Sequence, residues 1–310
     1  MKALREVYGE TLVKLGELNS RIVVLDADLS KSTKTDYFKA RFPDRFFDMG
    51  ISEQDMFATA AGMAAAGAIP FVSTFAVFAA GRAYEQIRNS ICYPNLNVKI
   101  VATHAGLSVG EDGATHQMLE DIALMRVLPN MKVFMPSDAK ETEEIISAVV
   151  NIPGPVYVRL PRIKLPDILP DNYKFSFDNY YVVCEGNDGA IFTAGTMLSE
   201  TLKAVKLLEK NNLSFTIINL STIKPLNHFF IDNIAKKYKI FFTIEEHNIF
   251  GGLGSAVAEF ICSLPYNNIL KIIGVEDTFG ESGNVDALFE KYKIDYKSLA
   301  KKILEVYKKN

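Results

Sequence analysis

The segment Val98-Lys-Ile-Val-Ala102 runs straight into Thr103-His-Ala-Gly-Leu-Ser-Val-Gly-Glu-Asp-Gly-Ala-Thr-His-Gln117. The first part is a short apolar run and reads as a buried strand. The second part is polar, carries two of the four histidines and two acids, and has glycine at 106, 110 and 113. Glycine lets a backbone turn sharply and approach a ligand closely. A loop of this kind at the carboxyl end of a parallel strand lies where α/β folds place their ligands.

The same alternation extends in both directions. Short apolar runs at 21–26, 46–49, 69–72, 132–135 and 156–159 read as strands. Between them lie helical stretches. Ser52, with Asp55 three residues on, looks like the N-cap of a helix rich in small residues: Ala58, Ala60, Ala61, Gly62, Ala64, Ala65 and Ala66. Such residues permit very close packing. Asp138 with Glu141 caps another helix through Val150. Residues 161–188 then carry three prolines and a set of tyrosines without helical periodicity, which marks a linker. Beyond it the alternation resumes, with strands at 190–193, 215–220, 240–244 and 270–274. Helices are expected at 199–210, at 229–238 and from Gly251–Gly254 to about 263. Strands separated by helices imply parallel sheets covered on both faces. The expected architecture is therefore α/β, two consecutive domains, each a mostly parallel sheet covered by helices. The domains span 1–165 and 186–310, joined by a linker at 166–185.

Composition narrows the function classes. The 310 residues are 48% apolar and 23% charged, with 34 Lys and Arg against 37 Asp and Glu, a formal charge of −3. That much apolar surface excludes intrinsic disorder. The absence of a basic block argues against a nucleic-acid groove. The longest apolar stretch, 58–77, is interrupted by Gly62, Gly67 and Pro70, so no membrane span is expected. Cys92, Cys184 and Cys262 are too far apart for a metal knuckle and read as three buried, reduced thiols. The amphipathic, charged N-terminus is not a signal peptide. A cytoplasmic setting is the default.

Several residues carry chemistry. His104 and His116 could bond sugar hydroxyls or shuttle protons; they could equally satisfy loop carbonyls. Glu53 sits in a first helical turn, where the dipole favours an acid in any case. Phe75 and Phe78 have the spacing of ordinary core aromatics. Gly251-Gly-Leu-Gly254 lacks the full dinucleotide fingerprint, so a tight strand-to-helix turn is the better reading. Glu245, Glu246 and His247 have no diagnostic metal spacing, and no metal is assigned to this chain.

Taken in chain order, these pieces resemble the transketolase family of thiamine-diphosphate enzymes. The resemblance starts with Asp48-Met-Gly-Ile-Ser-Glu53-Gln and Ser73-Thr-Phe75-Ala-Val-Phe78. It continues through His104, Gly110-Glu-Asp112-Gly-Ala-Thr-His116-Gln, Met135-Pro-Ser-Asp138 and Arg159-Leu-Pro-Arg162. It ends with Lys224-Pro225 and Gly251-Gly-Leu-Gly254. It covers nearly the whole chain, as a pyrimidine-binding domain followed by a transketolase C-terminal domain. The family's Gly-Asp-Gly motif, which holds Mg²⁺ (or Ca²⁺) and the cofactor diphosphate, does not occur here. The resemblance thus implies the C-terminal half of a split transketolase. A partner chain would carry Gly-Asp-Gly, most simply in an α₂β₂ particle.

The resemblance also implies roles. Glu53 would bond the pyrimidine nitrogen of thiamine diphosphate, and Phe75 and Phe78 would wall the same ring. His104 and His116 would contact substrate hydroxyls and assist proton transfers, and Asp112 would read the acceptor's C2 hydroxyl. Arg5, Arg162, Ser32 and His104 would hold the substrate phosphate. Asp28 would lie near the cofactor at the subunit junction. Two departures, Ala105-Gly106 after His104 and Gln54 after Glu53, lean towards 1-deoxyxylulose-5-phosphate synthase. The readings are a transketolase moving a two-carbon ketol unit between sugar phosphates, a synthase-like or specialised ketol transferase in sugar biosynthesis, and a non-catalytic scaffold or regulatory subunit.

Overall fold

The computed structural model describes residues 1–177 and 180–309; 178 and 179, inside the expected linker, and 310 lie outside the described residues. The first strands are β1 (Lys2–Ala3), β2 (Ile22–Asp26), β3 (Phe46–Asp48), β4 (Ile69–Phe75), β5 (Lys99–Thr103), β6 (Lys132–Phe134) and β7 (Val156–Arg159). They are followed by β8 (Lys164–Leu165), β9 (Tyr181–Cys184), β10 (Ala190–Thr193), β11 (Thr216–Asn219), β12 (Thr222–Lys224), β13 (Ile240–Asn248) and β14 (Ile269–Val275). A seven-stranded sheet has the order β12-β6-β7-β5-β4-β2-β3, parallel except where β12 joins β6. A five-stranded sheet has the order β14-β13-β10-β11-β9, parallel except for β9. β1 pairs antiparallel with β8.

The larger sheet explains where a ligand can sit. Every residue of β4 and β5 is buried, as a strand covered on both faces requires. The chain steps from β2 outward to β3, then returns past β2 to β4. This reversal opens a crevice at the carboxyl ends of the strands. Asp28, Phe75 and His104 leave the sheet there, at the ends of β2, β4 and β5.

Helix ends follow local chemistry. The helix Ala139–Val149 starts as expected: the Asp138 carboxylate accepts from Glu141 N–H at 2.8 Å, and the Glu141 carboxylate accepts from Ser137 N–H at 2.8 Å. The helix Glu53–Ala65 does not use its expected cap. Ser52 has φ −140° and ψ 62°, and its hydroxyl bonds no N–H of the first turn. The small residues of this helix pack on one side only, with Ala60 and Ala61 buried and open space beside Gly62. After β4 the helical turns widen, as in the bond from Ala83 N–H to Phe78 O.

The two sheets share a core. One apolar cluster runs from Leu25, Val72 and Ile100 in the first half to Phe192, Ile218 and Phe241 in the second. A buried polar network crosses the same boundary: the Ser137 hydroxyl donates to Asn219 Oδ1 at 2.6 Å and accepts from Gly195 N–H at 2.7 Å. β12 goes further, since a strand from the second half completes the sheet of the first. The expectation of three buried thiols holds for Cys92 alone; Cys184 is half-buried and Cys262 exposed, all unpaired. Among the described residues no helix is long and apolar enough to cross a membrane.

Candidate active site

His104 terminates β5 with φ +58° and is almost wholly buried. Its Nε2 lies 3.2 Å from Arg5 Nη1, and its Nδ1 lies 2.8 Å from Thr103 Oγ1. A guanidinium only donates, so Nε2 accepts and Nδ1 carries the proton. Burial, and then the charges of Arg5 and Arg162, press the imidazole down to about 3. His104 is therefore a neutral acceptor at physiological pH. Its ring stacks on Phe75, with centroids 3.8 Å apart and planes at 24°.

Asp26, at the end of β2, shapes the neighbouring wall. Its carboxylate accepts from Leu29 N–H and from the hydroxyls of Thr33 and Thr35 at 2.7–2.8 Å. Burial raises it to about 6. The turn it organises brings the Ser32 carbonyl to Arg5, whose Nη1 donates at 3.1 Å. Arg162 donates to Val109 O at 2.6 Å and lies 3.7 Å from Asp112 Oδ1. Arg5 and Arg162 face one cleft of about 360 Å³, together with Lys164, residues of the 105–117 loop and Gly283–Val285 of the second domain. Burial and then the charge of Arg162 lower the Arg5 pKa, while Glu6, which with Glu111 also lines the cleft, opposes the shift.

Glu53 is 2% exposed, and its Oε2 accepts from Arg82 Nη1 at 2.8 Å. The Arg82 guanidinium lies 4.4 Å from the centre of the Phe78 ring. Phe78 stacks on Phe75 at 5.8 Å with planes at 12°. The His116 ring meets Phe78 edge-on at 5.6 Å, and its Nδ1 is held by Thr115 Oγ1 at 2.9 Å. Glu53, Arg82, Phe78, Phe75, His116, His104, Arg5 and Ser32 thus form a continuous series of contacts. Asp112 and Arg162 form a neighbouring pair. Asp28 stands apart: it is exposed with φ +59°, and its N–H donates to Asp48.

Three residues with a part in this arrangement are not apparent from the sequence: Arg82, Asp26 and Lys164. The spacing of Arg82, one helical turn after Phe78, is the only signal any of them gives. The Glu245-Glu246-His247 trio continues β13 rather than ending it, and each member has a separate task. The Glu245 carboxylate accepts from Leu253 and Gly254 N–H at 2.7 and 2.8 Å, filling the anion position of the Gly251–Gly254 turn with the chain's own acid. Glu246 accepts from Ser108 N–H across the domain boundary. His247 accepts from Ala123 N–H through Nε2 and donates to Asn248 O through Nδ1. Among the described residues no group of three or more His, Cys, Asp and Glu is arranged to hold a metal.

Comparison with known proteins bears on this geometry. Residues 1–167 match the family model of the transketolase pyrimidine-binding domain, and 178–299 match that of the transketolase C-terminal domain. A protein of Methanocaldococcus jannaschii, provisionally assigned as a transketolase C-terminal section, is 48% identical over 99% of this chain and 97% of its own length. The 6-deoxy-6-sulfo-D-fructose transketolase subunit SqwH of Clostridium sp. (strain MSTE9) is 35% identical over 98% of this chain and 94% of its own. A solved structure described as a split gene transketolase, inactive beta4 tetramer, superposes with a TM-score of 0.92 at 47% identity, covering 99% of both chains.

Proposed function

The chain belongs to the transketolase family, and from that premise we propose that it is the C-terminal subunit of a two-chain, thiamine-diphosphate-dependent enzyme moving a two-carbon ketol unit between sugar phosphates. The observation that carries this reading is the series of contacts from Glu53 through Arg82, Phe78 and Phe75 to His104 and Arg5. It joins an acid and a stacked aromatic wall, suited to an aminopyrimidine, to a cationic cleft suited to a phosphate.

The residues fit the pyrimidine end of thiamine diphosphate. A nearly buried carboxylate beside two stacked rings can bond a ring nitrogen while apolar area holds the ring. When bound, the cofactor supplies the carbon nucleophile that a two-carbon transfer needs. The diphosphate and its Mg²⁺ (or Ca²⁺) would be held by an N-terminal subunit carrying Gly-Asp-Gly. Within this chain, Glu53 would share a proton with the pyrimidine nitrogen. His104, neutral, would accept from a sugar hydroxyl at Nε2 in place of its bond from Arg5, and His116 would bear on the same region. Asp112 would accept from the acceptor's C2 hydroxyl. Arg5 and Arg162 would bond the phosphate, with Ser32 and His104 orienting it; a planar guanidinium gives paired, charged hydrogen bonds to such a group.

A second reading, a specialised ketol transferase, draws on the sulfo-sugar relative. The same cationic cleft would accept a sulfonate in place of a phosphate. One experiment tests the assignment and its substrate class together. This chain is mixed with a Gly-Asp-Gly N-terminal section, and transfer from xylulose 5-phosphate is followed with ribose 5-phosphate or glycolaldehyde as acceptor. Transfer is expected from the mixture and not from this chain alone. Losing one charged donor costs about 1.5–3 kcal/mol, so Arg162→Ala should lower kcat/KM roughly 10–150-fold for ribose 5-phosphate and little for glycolaldehyde. Turnover by the unmixed chain would overturn the two-chain assignment. Equal losses on both acceptors would overturn the phosphate role.

A further inference from the structure

We propose that Glu246, carried by the second domain, is a positioning residue for acceptor recognition: it fixes the loop backbone at Ser108 and, through the next residue Val109, the guanidinium of Arg162. This rests on the reading of Arg162 as a phosphate donor.

Three observations converge on it. The Glu246 side chain is 2% exposed, and its Oε1 accepts from the backbone N–H of Ser108, in the loop that carries Asp112 and His116. One residue further along, the Val109 carbonyl accepts from Arg162 Nη1 at 2.6 Å. The carboxylate and the guanidinium therefore hold adjacent residues of one loop, Ser108 and Val109. Gly106 shows how closely the loop lies on the acid: a Cβ there would stand 2.4 Å from Glu246 Oε1, and the residue has φ +84°.

The surroundings keep this grip from shifting. Glu246's own carbonyl accepts from Arg159 Nη2 at 2.9 Å, and Arg159 is locked to the buried Asp121 by a bond from Nε at 2.9 Å. The far end of the loop is clamped by Gln117, whose amide donates to Gly110 O at 3.2 Å and to Glu281 O at 2.9 Å. Burying a carboxylate is costly unless it is well bonded. Burial raises the Glu246 carboxyl above its ordinary value, and Arg159 and the Ser108 N–H oppose that shift. Glu246 thereby acts on the acceptor's anionic end without touching it.

The test compares Glu246→Ala, Glu246→Gln and Gly106→Ala with the wild type, keeping only variants that show a cooperative thermal melt. In the free chain, amide exchange at residues 106–110 should accelerate by at least about 10-fold in Glu246→Ala, because the loop's local opening becomes easier. In the two-chain enzyme the same variant should raise KM for ribose 5-phosphate roughly 10–100-fold, with a smaller effect on glycolaldehyde transfer. Glu246→Gln keeps an oxygen for Ser108 N–H and should restore most of both losses. Gly106→Ala displaces the same carboxylate and should reproduce the KM pattern even if Glu246→Ala does not fold. Unchanged exchange, or equal losses on both acceptors, would overturn the proposal while leaving the functional assignment standing. A wild-type mixture that transfers no ketol unit would overturn the assignment and the acceptor role with it, whatever the exchange shows.

Discussion

Glu53 and His104 illustrate how differently single residues disclose themselves. An acid in a first helical turn needs no function, because the helix dipole accounts for it. Two features separate Glu53 from that explanation: burial and a guanidinium partner, Arg82, which itself lies over Phe78; neither is displayed by a sequence. Glu53→Gln keeps the shape and loses the shared proton. The assembled enzyme should then lose at least ~100-fold in turnover, the lower end for acid–base contributions, with a smaller loss of cofactor binding. Exchange of the cofactor's C2 proton at the wild-type rate would show that Glu53 serves only its helix. For His104, the depressed value of about 3 means that the fold disfavours the imidazolium. Its contribution to stability is complete above about 6.5, the ordinary imidazole value, and is lost progressively as pH falls towards 3. The ring resonances should therefore not titrate between pH 5 and 8, as NMR of the labelled chain can establish. A midpoint near 6.5 would contradict the buried site. Removing the Arg5 charge should move the value upward.

At the scale of elements, the parts that announce themselves are those with strong local chemistry. The strands at 156–159 and 190–193 fall where the apolar runs place them, and Asp138 caps its helix as the Asp-Glu spacing suggests. Ser52 misleads because capping needs a backbone conformation as well as an oxygen. β13 runs past Ile244 because each of the polar residues 245–247 finds a partner inside, and single-residue patterns cannot foresee such partners. β12 belongs to the same class, since its partner strand β6 lies far away in the chain, whereas the helices Val285–Lys291 and Tyr296–Tyr307 start at local caps, Asn284 and Asp295. Asp138 gives a direct measure of one local device. Besides its cap, its Oδ2 accepts from Ile168 and Leu169 N–H at 3.0 and 2.7 Å, tying the start of the connecting segment to the helix. Asp138→Ala removes the cap and strands two further donors, which should cost about 2–4 kcal/mol. Urea unfolding followed by circular dichroism would show this as a lowered midpoint, and an unmoved midpoint would mean that the segment is held elsewhere.

For the molecule as a whole, the sequence distinguishes two α/β units but gives no hint that they are interlocked. β6 takes its outer neighbour from residues 222–224, far beyond the connecting segment, and Met135 N–H donates to Ser221 O at 2.8 Å. A chain cut after residue 165 would leave β6 with a bare edge and lose the shared apolar cluster. Expressed alone, residues 1–165 should aggregate or remain loosely packed in gel filtration and near-ultraviolet circular dichroism. A monomer with sharp tertiary signals would refute this. The same strand sets an order of events during synthesis. The first 165 residues leave the ribosome with their sheet unfinished, and the edge stays open until some sixty more have emerged. A nascent chain stalled in that interval would be a natural client for holding chaperones, and slowing translation there should lower the yield of native protein rather than raise it.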